Sequence, residues 1–117
     1  MAAKIFAPPS DVGDPPELIT GLDYSYYQQL CREWTSRVQS RCRNRTPNND
    51  LVGMVWRYPV ADGCAQYVVM DTKPLSLIHL PLGDAWHIPD IVRRGLTVSD
   101  LKAYKKTLNA LPRNSND

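Results

Sequence analysis

Between residues 51 and 96 short apolar runs alternate with turn signals, and this pattern predicts a small sheet. Apolar residues recur at every second position in the first two runs, as they do in half-buried strands. The predicted strands are 52–58, 65–71 and 75–80, followed by a short fourth run at 85–88. Turn signals separate them at Asp62-Gly63, Thr72–Pro74 and Gly83-Asp84. This spacing predicts an antiparallel sheet of three to five strands or an open SH3-like barrel.

Before the sheet, apolar residues recur at spacings of three and four, which predicts a helix from about Ser25 to Arg43. Ser25 with Gln28 has the spacing of a capping box, and Asp23 is a competing N-cap. The buried stripe is expected to contain Tyr27, Leu30, Cys31, Trp34, Val38 and Cys42.

After the sheet, Thr97 with Asp100 forms a second capping-box signature and predicts a C-terminal helix. Its expected buried stripe is Leu101, Tyr104, Leu108 and Leu111. Pro112 ends this helix. The predicted fold class is therefore α+β, a small antiparallel sheet or open SH3-like barrel flanked by an N-terminal and a C-terminal amphipathic helix.

Prolines and glycines interrupt residues 1–22, which predicts an extended arm rather than a helix. Apolar residues in this arm can anchor it on its own domain or on a partner, and both alternatives stay open. The predicted organisation is a Pro-rich arm at 1–22, a single α+β domain at 23–112 and a polar tail at 113–117.

The 117-residue chain has a composition typical of a soluble globular domain. No apolar run approaches the roughly 20 residues that span a bilayer, and the first residues lack the apolar region of a secretory signal. Cys31 and Cys42 lie about 16 Å apart along the predicted helix and cannot bridge each other. With Cys64 they form an odd set of free thiols, so we expect a cytoplasmic protein.

Basic residues form two groups although the formal net charge is only +2. Cationic side chains neutralise phosphates and aromatic rings stack on bases, so nucleic-acid binding is one alternative. The residues expected to carry it are Arg37, Arg41, Arg43, Arg93 and Arg94.

Two histidines and an aspartate within nine residues, His79, Asp84 and His87, are weak candidates for a metal or acid–base site. Their spacing matches no zinc signature, and an aspartate beside a glycine is typical of a turn. A small metal-dependent or hydrolytic enzyme remains a third alternative. The sequence predicts no catalytic residue, no cofactor and no bound metal.

Aromatic residues outside the predicted helix stripe indicate the function we expect first, a non-enzymatic binding or regulatory module acting through a protein partner. Tyr24 and Tyr26 lie beside the predicted helix stripe and Phe6 lies in the arm. Aromatic residues anchor many protein interfaces, so these three are the candidate contact residues. Accessory proteins of mobile elements are one class of this size that works through partners. No membrane partner is expected, and a homo-oligomer stays open.

Overall fold

The computed structural model describes residues 3–17, 23–60, 63–82, 92 and 95–110. Within these ranges no helix is both long enough and apolar enough to cross a bilayer. The elements in chain order are β1 Lys4–Phe6, a 3-10 helix Ser10–Val12, α1 Tyr24–Arg45, β2 Val55–Val60, β3 Gly63–Thr72, β4 Leu75–Leu80 and α2 Val98–Ala110. These elements confirm the α+β class.

The four strands form one mixed sheet in the order β1-β4-β3-β2. Strands β2, β3 and β4 pair antiparallel, as predicted, but β1 pairs parallel with β4, with Ile5 opposite Leu77. The expectation of a wholly antiparallel sheet is therefore wrong, because a three-residue strand is too short to show a period. The described strands do not confirm an open SH3-like barrel; they form a single sheet with β1 and β2 at opposite edges.

The register of the β2–β3 hairpin differs from the predicted one, because Gly63, expected in the turn, is the first residue of β3. Val60 pairs with Gly63, and Arg57 pairs with Gln66. Between β3 and β4 the register shifts by one residue after Val69, where a bulge interrupts the ladder. Residues 61 and 62 and the predicted run 85–88 lie outside the described residues.

Alternate residues of the strands enter two separate apolar clusters. One cluster joins sheet residues such as Trp56, Tyr67 and Leu77 to Leu101 of α2. The other joins Val68 and neighbouring sheet residues to α1, and its buried members are Val12, Trp34, Val38, Cys42, Val52, Val68, Ile78, Leu80 and Leu82. Each helix therefore buries its stripe against a different set of strand positions.

Helix α1 begins one residue earlier than predicted and ends two residues later, at Arg45. Asp23 is the N-cap, and its carboxylate accepts a hydrogen bond from the Ser25 N–H at 3.0 Å. The competing cap is thus the one used, because the Ser25 backbone is already helical. The stripe through Trp34, Val38 and Cys42 is buried, as its spacing predicts.

Helix α2 begins with the predicted capping box. The Thr97 N–H donates to Asp100 Oδ2 at 2.9 Å, and the Asp100 N–H donates to Thr97 Oγ1 at 3.2 Å. Leu101 is fully buried, but Leu108 is 40% exposed, so its predicted burial is wrong. Leu108 lies two turns beyond Leu101, past the cluster that receives the first half of the helix. Leu111 lies outside the described residues.

Candidate functional site

An open groove of about 760 Å³ runs between α1 and the outer part of the sheet formed by β2 and β3. Its helical wall runs along α1 from Tyr24 to Gln39, and its floor comes mainly from the two strands. The described lining residues are Tyr24, Tyr27, Gln28, Cys31, Arg32, Thr35, Ser36, Gln39, Val55, Arg57, Cys64, Gln66 and Leu82. We call this surface the groove.

The groove exists because α1 packs over the middle of the sheet rather than over its β2 edge. Trp34 and Val38 are fully buried in the cluster that holds Val68 of β3 and Ile78 of β4. The same face of β2 continues beyond the helix and remains open. The packing of the helix stripe thus determines which strand residues stay accessible.

The floor of the groove contains a cross-strand pair, Arg57 and Gln66. Arg57 Nε donates to Gln66 Oε1 at 3.2 Å, which orients the guanidinium across the two strands. Directly opposed residues of an antiparallel pair have close side chains, so the hairpin register creates this contact. The pair orients the Arg57 guanidinium and leaves further N–H groups of this side chain able to donate to a ligand.

The groove carries positive charge and hydrogen-bonding groups where the structure describes it. Arg32 and Arg57 supply two cations, and no described lining residue is acidic. Amide and hydroxyl side chains supply donors and acceptors along the helical wall, among them Gln28, Thr35 and Gln39. Tyr24, which is 58% exposed, lies at one end with its ring 6.0 Å from the ring of Tyr27. Such a lining combines an aromatic contact with hydrogen-bonding groups and positive charge.

The opposite flank of α1 is covered by the segment around the 3-10 helix. Trp34 Nε1 donates to the Gly13 carbonyl at 3.1 Å, and Arg37 Nε donates to the Val12 carbonyl at 3.4 Å. Arg41 Nε forms a salt bridge with Asp11 Oδ2 at 2.7 Å. These three contacts hold residues 11–13 of the arm on their own chain.

The C-terminal half of α1 is tied to the loop before β2. Gln39 Nε2 and Arg43 Nη2 both donate to the Gly53 carbonyl, at 2.7 and 3.3 Å. Gly53 has a φ of +90°, and a Cβ there would collide with the Arg43 side chain. A glycine is required by both its conformation and its neighbour.

Of the predicted nucleic-acid residues, Arg37, Arg41 and Arg43 all hold neighbouring parts of the chain through the contacts above. Arg93 and Arg94 lie outside the described residues. The prediction that these five act together on phosphates has no structural support in the described ranges and stays a prediction.

The predicted protein-contact residues are all exposed, Tyr24 by 58%, Tyr26 by 50% and Phe6 by 42%. They do not occupy equivalent places. Tyr24 lines the groove and Tyr26 is not among its described lining residues, although both lie in the first turn of α1. Phe6 lies on edge strand β1, opposite Ile78. No contact among the described residues tests the partner role predicted for these three residues, and of the three only Tyr24 is among the described groove residues.

The histidine candidate can be placed only in part, since Asp84 and His87 lie outside the described residues. His79 pairs with Tyr67, and the two rings lie 5.3 Å apart. Burial lowers the pKa of His79, and its Nε2 is buried with no hydrogen-bond partner among the described residues. The same ranges contain no cluster of three or more His, Cys, Asp or Glu that could hold a metal ion.

Two of the three cysteines line the groove. Cys31 on α1 and Cys64 on β3 are partly exposed, whereas Cys42 is 3% exposed. Burial raises the pKa of the Cys42 thiol, against the opposing effect of Arg41, Arg43 and Arg45. The groove thus carries two accessible thiols while the third is held in the core.

Sequence reasoning missed the groove residues Arg32, Arg57 and Gln66 as a functional set. The turn signal at Asp62-Gly63 indicated that the two strands pair, but a two-residue turn there would place residue 57 opposite residue 68, whereas the structure pairs it with Gln66. No local signal joins Arg32 to that pair, since the contact depends on how α1 lies on the sheet. Comparison with protein-family models, curated proteins and solved structures found no match.

Proposed function

We propose that this chain is a non-enzymatic, cytoplasmic binding module that acts through a protein partner, and that the groove is its contact surface. The observation that carries the proposal is the groove itself, an open channel that ends at the exposed Tyr24. Tyrosine supplies a large contact area at low entropic cost, and arginine, present twice, is also enriched in interfaces.

The groove suits a partner held through side chains rather than one that extends the sheet. The Arg57 N–H points away from β3 and donates to the Tyr104 hydroxyl at 3.4 Å, although this bond is long. Pro59, two residues on, faces the same way and has no N–H. The β2 edge is thus blunted against added strands, as natural edge strands often are.

A protein partner is favoured over nucleic acid by the way the arginines are used. Arg37, Arg41 and Arg43 are engaged with backbone carbonyls or a carboxylate of this chain. A phosphate would have to compete with those contacts. The groove, by contrast, combines apolar, aromatic and polar groups, which is the usual composition of a protein interface.

The test is a pull-down from lysate of the source organism with nuclease added, comparing the wild type with Tyr24→Ala and Tyr26→Ala. Both changes remove an exposed tyrosine from the first turn of α1, so each should alter stability by less than about 0.5 kcal/mol. We expect a retained protein to be lost with Tyr24→Ala and kept with Tyr26→Ala. Melting curves of the three proteins check that folding is unchanged.

Cys31 and Cys64 provide a second readout of the same contact. A partner in the groove should slow their alkylation by N-ethylmaleimide, measured by mass spectrometry on the isolated complex. The proposal fails if no protein is retained, if retention vanishes with nuclease, or if both tyrosine variants bind as well as the wild type. Loss of the retained protein on nuclease treatment would favour nucleic-acid binding as the function.

A further inference from the structure

We infer that the groove recognises an acidic peptide segment of its partner, held in extended form between α1 and β2. This inference rests on the proposed function and adds the chemistry of the ligand. Two properties of the groove support it: the positive charge of its two arginines and the length of its helical wall.

The charge of the groove comes from two arginines without a carboxylate partner. The salt bridge found in the described ranges joins Arg41 to Asp11 on the other flank, and neither Arg32 nor Arg57 takes part in one. Arg57 is oriented by a neutral amide, Gln66, which leaves its charge uncompensated. Two exposed guanidinium groups, one on the helical wall and one on the floor, can bind carboxylates, including bidentately.

The acidic residue nearest to Arg32 in the chain does not neutralise it. Glu33 is the next residue on α1, and adjacent helix positions point about 100° apart around the axis. Glu33 is exposed and is not among the described groove residues. The positive charge of Arg32 is therefore presented to the groove.

The length of the groove limits the size of the segment. Its helical wall runs from Tyr24 to Gln39, which is about 22 Å at the rise of an α-helix. An extended chain covers that distance with about seven residues. Arg32 lies midway along this wall, so the acidic positions of the ligand are expected near the centre of the segment.

The test is selection from a phage-displayed library of random 12-residue peptides on the purified full chain at low salt. Three proteins are compared: the wild type, Arg32→Glu with Arg57→Glu, and Arg45→Glu with Lys102→Glu. Each reversal lowers the formal charge by two, so both double variants change from +2 to −2. The control pair is exposed and lies outside the described groove lining, so only position differs.

We expect the wild type and the control to enrich peptides with central Asp or Glu. The groove variant should not enrich these acidic peptides and should select basic ones instead, if it selects any. Exposed ion pairs are each weak, so the groove reversal should weaken a selected acidic peptide by about tenfold in fluorescence anisotropy. Higher salt should also weaken it.

The inference is overturned if the enriched peptides carry no acidic bias, if both double variants lose them equally, or if the library yields none. Neutral peptides that depend on Tyr24 would overturn the acidic ligand while leaving the proposed function intact. If the library yields no binders but the pull-down captures a protein through Tyr24, the acidic ligand is overturned and the proposed function stands. Preferential capture of a fluorescent oligonucleotide at the groove arginines would overturn both.

Discussion

The two flanks of α1 both carry arginines, but the side chains on one flank have partners in the chain and Arg32 on the other is open to solvent. On the flank that faces residues 11–13, Trp34, Arg37 and Arg41 all have partners in the chain. On the groove flank, Arg32 lies exposed beside open space, with no salt bridge in the described ranges. We call the first the anchored flank. An arginine on this helix is structural where a carbonyl or carboxylate lies within reach, and it is available to a ligand where none does.

This difference separates the cost of a substitution to folding from its cost to binding. Removing a side chain from the anchored flank exposes the core or leaves acceptors unpaired. Removing one from the groove changes a solvated surface. The following variants test that separation, from the largest expected effect on the isolated protein to the smallest.

Replacing Trp34 by alanine should destabilise the protein by about 4 kcal/mol, because it empties a fully buried site and removes the bond to the Gly13 carbonyl. Tyr24→Ala, at the exposed end of the groove, should change stability by less than about 0.5 kcal/mol. Urea unfolding of both variants measures the difference. Equal losses would show that the groove is part of the core.

Replacing Gly53 by alanine should cost about 2 kcal/mol, because a residue with a side chain is strained at a φ of +90° and its Cβ meets Arg43. The collision disappears in an Arg43→Ala background, so the same change should cost less there. A double-mutant cycle in chemical denaturation measures this coupling. An identical cost in both backgrounds would contradict the contact between Arg43 and Gly53.

Alkylation rates should distinguish the two groove cysteines from the cysteine in the core. At pH 7.5 N-ethylmaleimide should modify Cys31 and Cys64 first and Cys42 at least about tenfold more slowly, because burial both covers Cys42 and raises its pKa. Mass spectrometry of timed samples gives the three rates, and a sample in denaturant provides the control. Comparable rates for all three in the native protein would contradict the placement of Cys42 in the core.

Removing single arginines should have the smallest effects. Arg41→Ala breaks an exposed salt bridge and should cost about 0.5 kcal/mol, whereas Arg32→Ala should be close to neutral. Thermal unfolding at low and high salt compares them, since only the loss at Arg41 should shrink as salt rises. A larger loss for Arg32→Ala would show that this arginine is structural.

Most of the regular elements could be predicted from local patterns. The stripe through Trp34 and Val38 predicts α1, and the Thr97–Asp100 spacing predicts the start of α2. Periodicity failed where an element is short or where the core ends before the pattern does. Strand β1 has only three residues, and Leu108 continues a stripe whose cluster stops near Tyr104.

The candidate site could be predicted only in pieces. The sequence indicated Tyr24 as an aromatic residue outside the predicted helix stripe and Arg37, Arg41 and Arg43 as part of a basic group. It did not show that Tyr24 and Tyr26 differ in access to the groove, or that the three arginines are engaged with their own chain. The arginine contacts depend on acceptors 10 to 30 residues away along the chain, and the access of Tyr24 depends on how α1 lies on the sheet.

Local patterns in the sequence predicted the two helices and the three antiparallel strands, because neighbours along the chain fix periodicity and caps. They missed the register of the β2–β3 hairpin, because the predicted turn at Asp62-Gly63 lies one residue too late and Gly63 already pairs with Val60. The tertiary structure alone decided that β1 joins the sheet in parallel and that α1 covers its centre. That placement brings Arg32, Arg57 and Cys64 to one groove. The reason is physical. Helices, strands and caps depend on residues close together in the chain, so they leave a periodic pattern in the sequence. A groove depends on how the buried face of a helix fits that of a sheet, and this fit produces no such pattern.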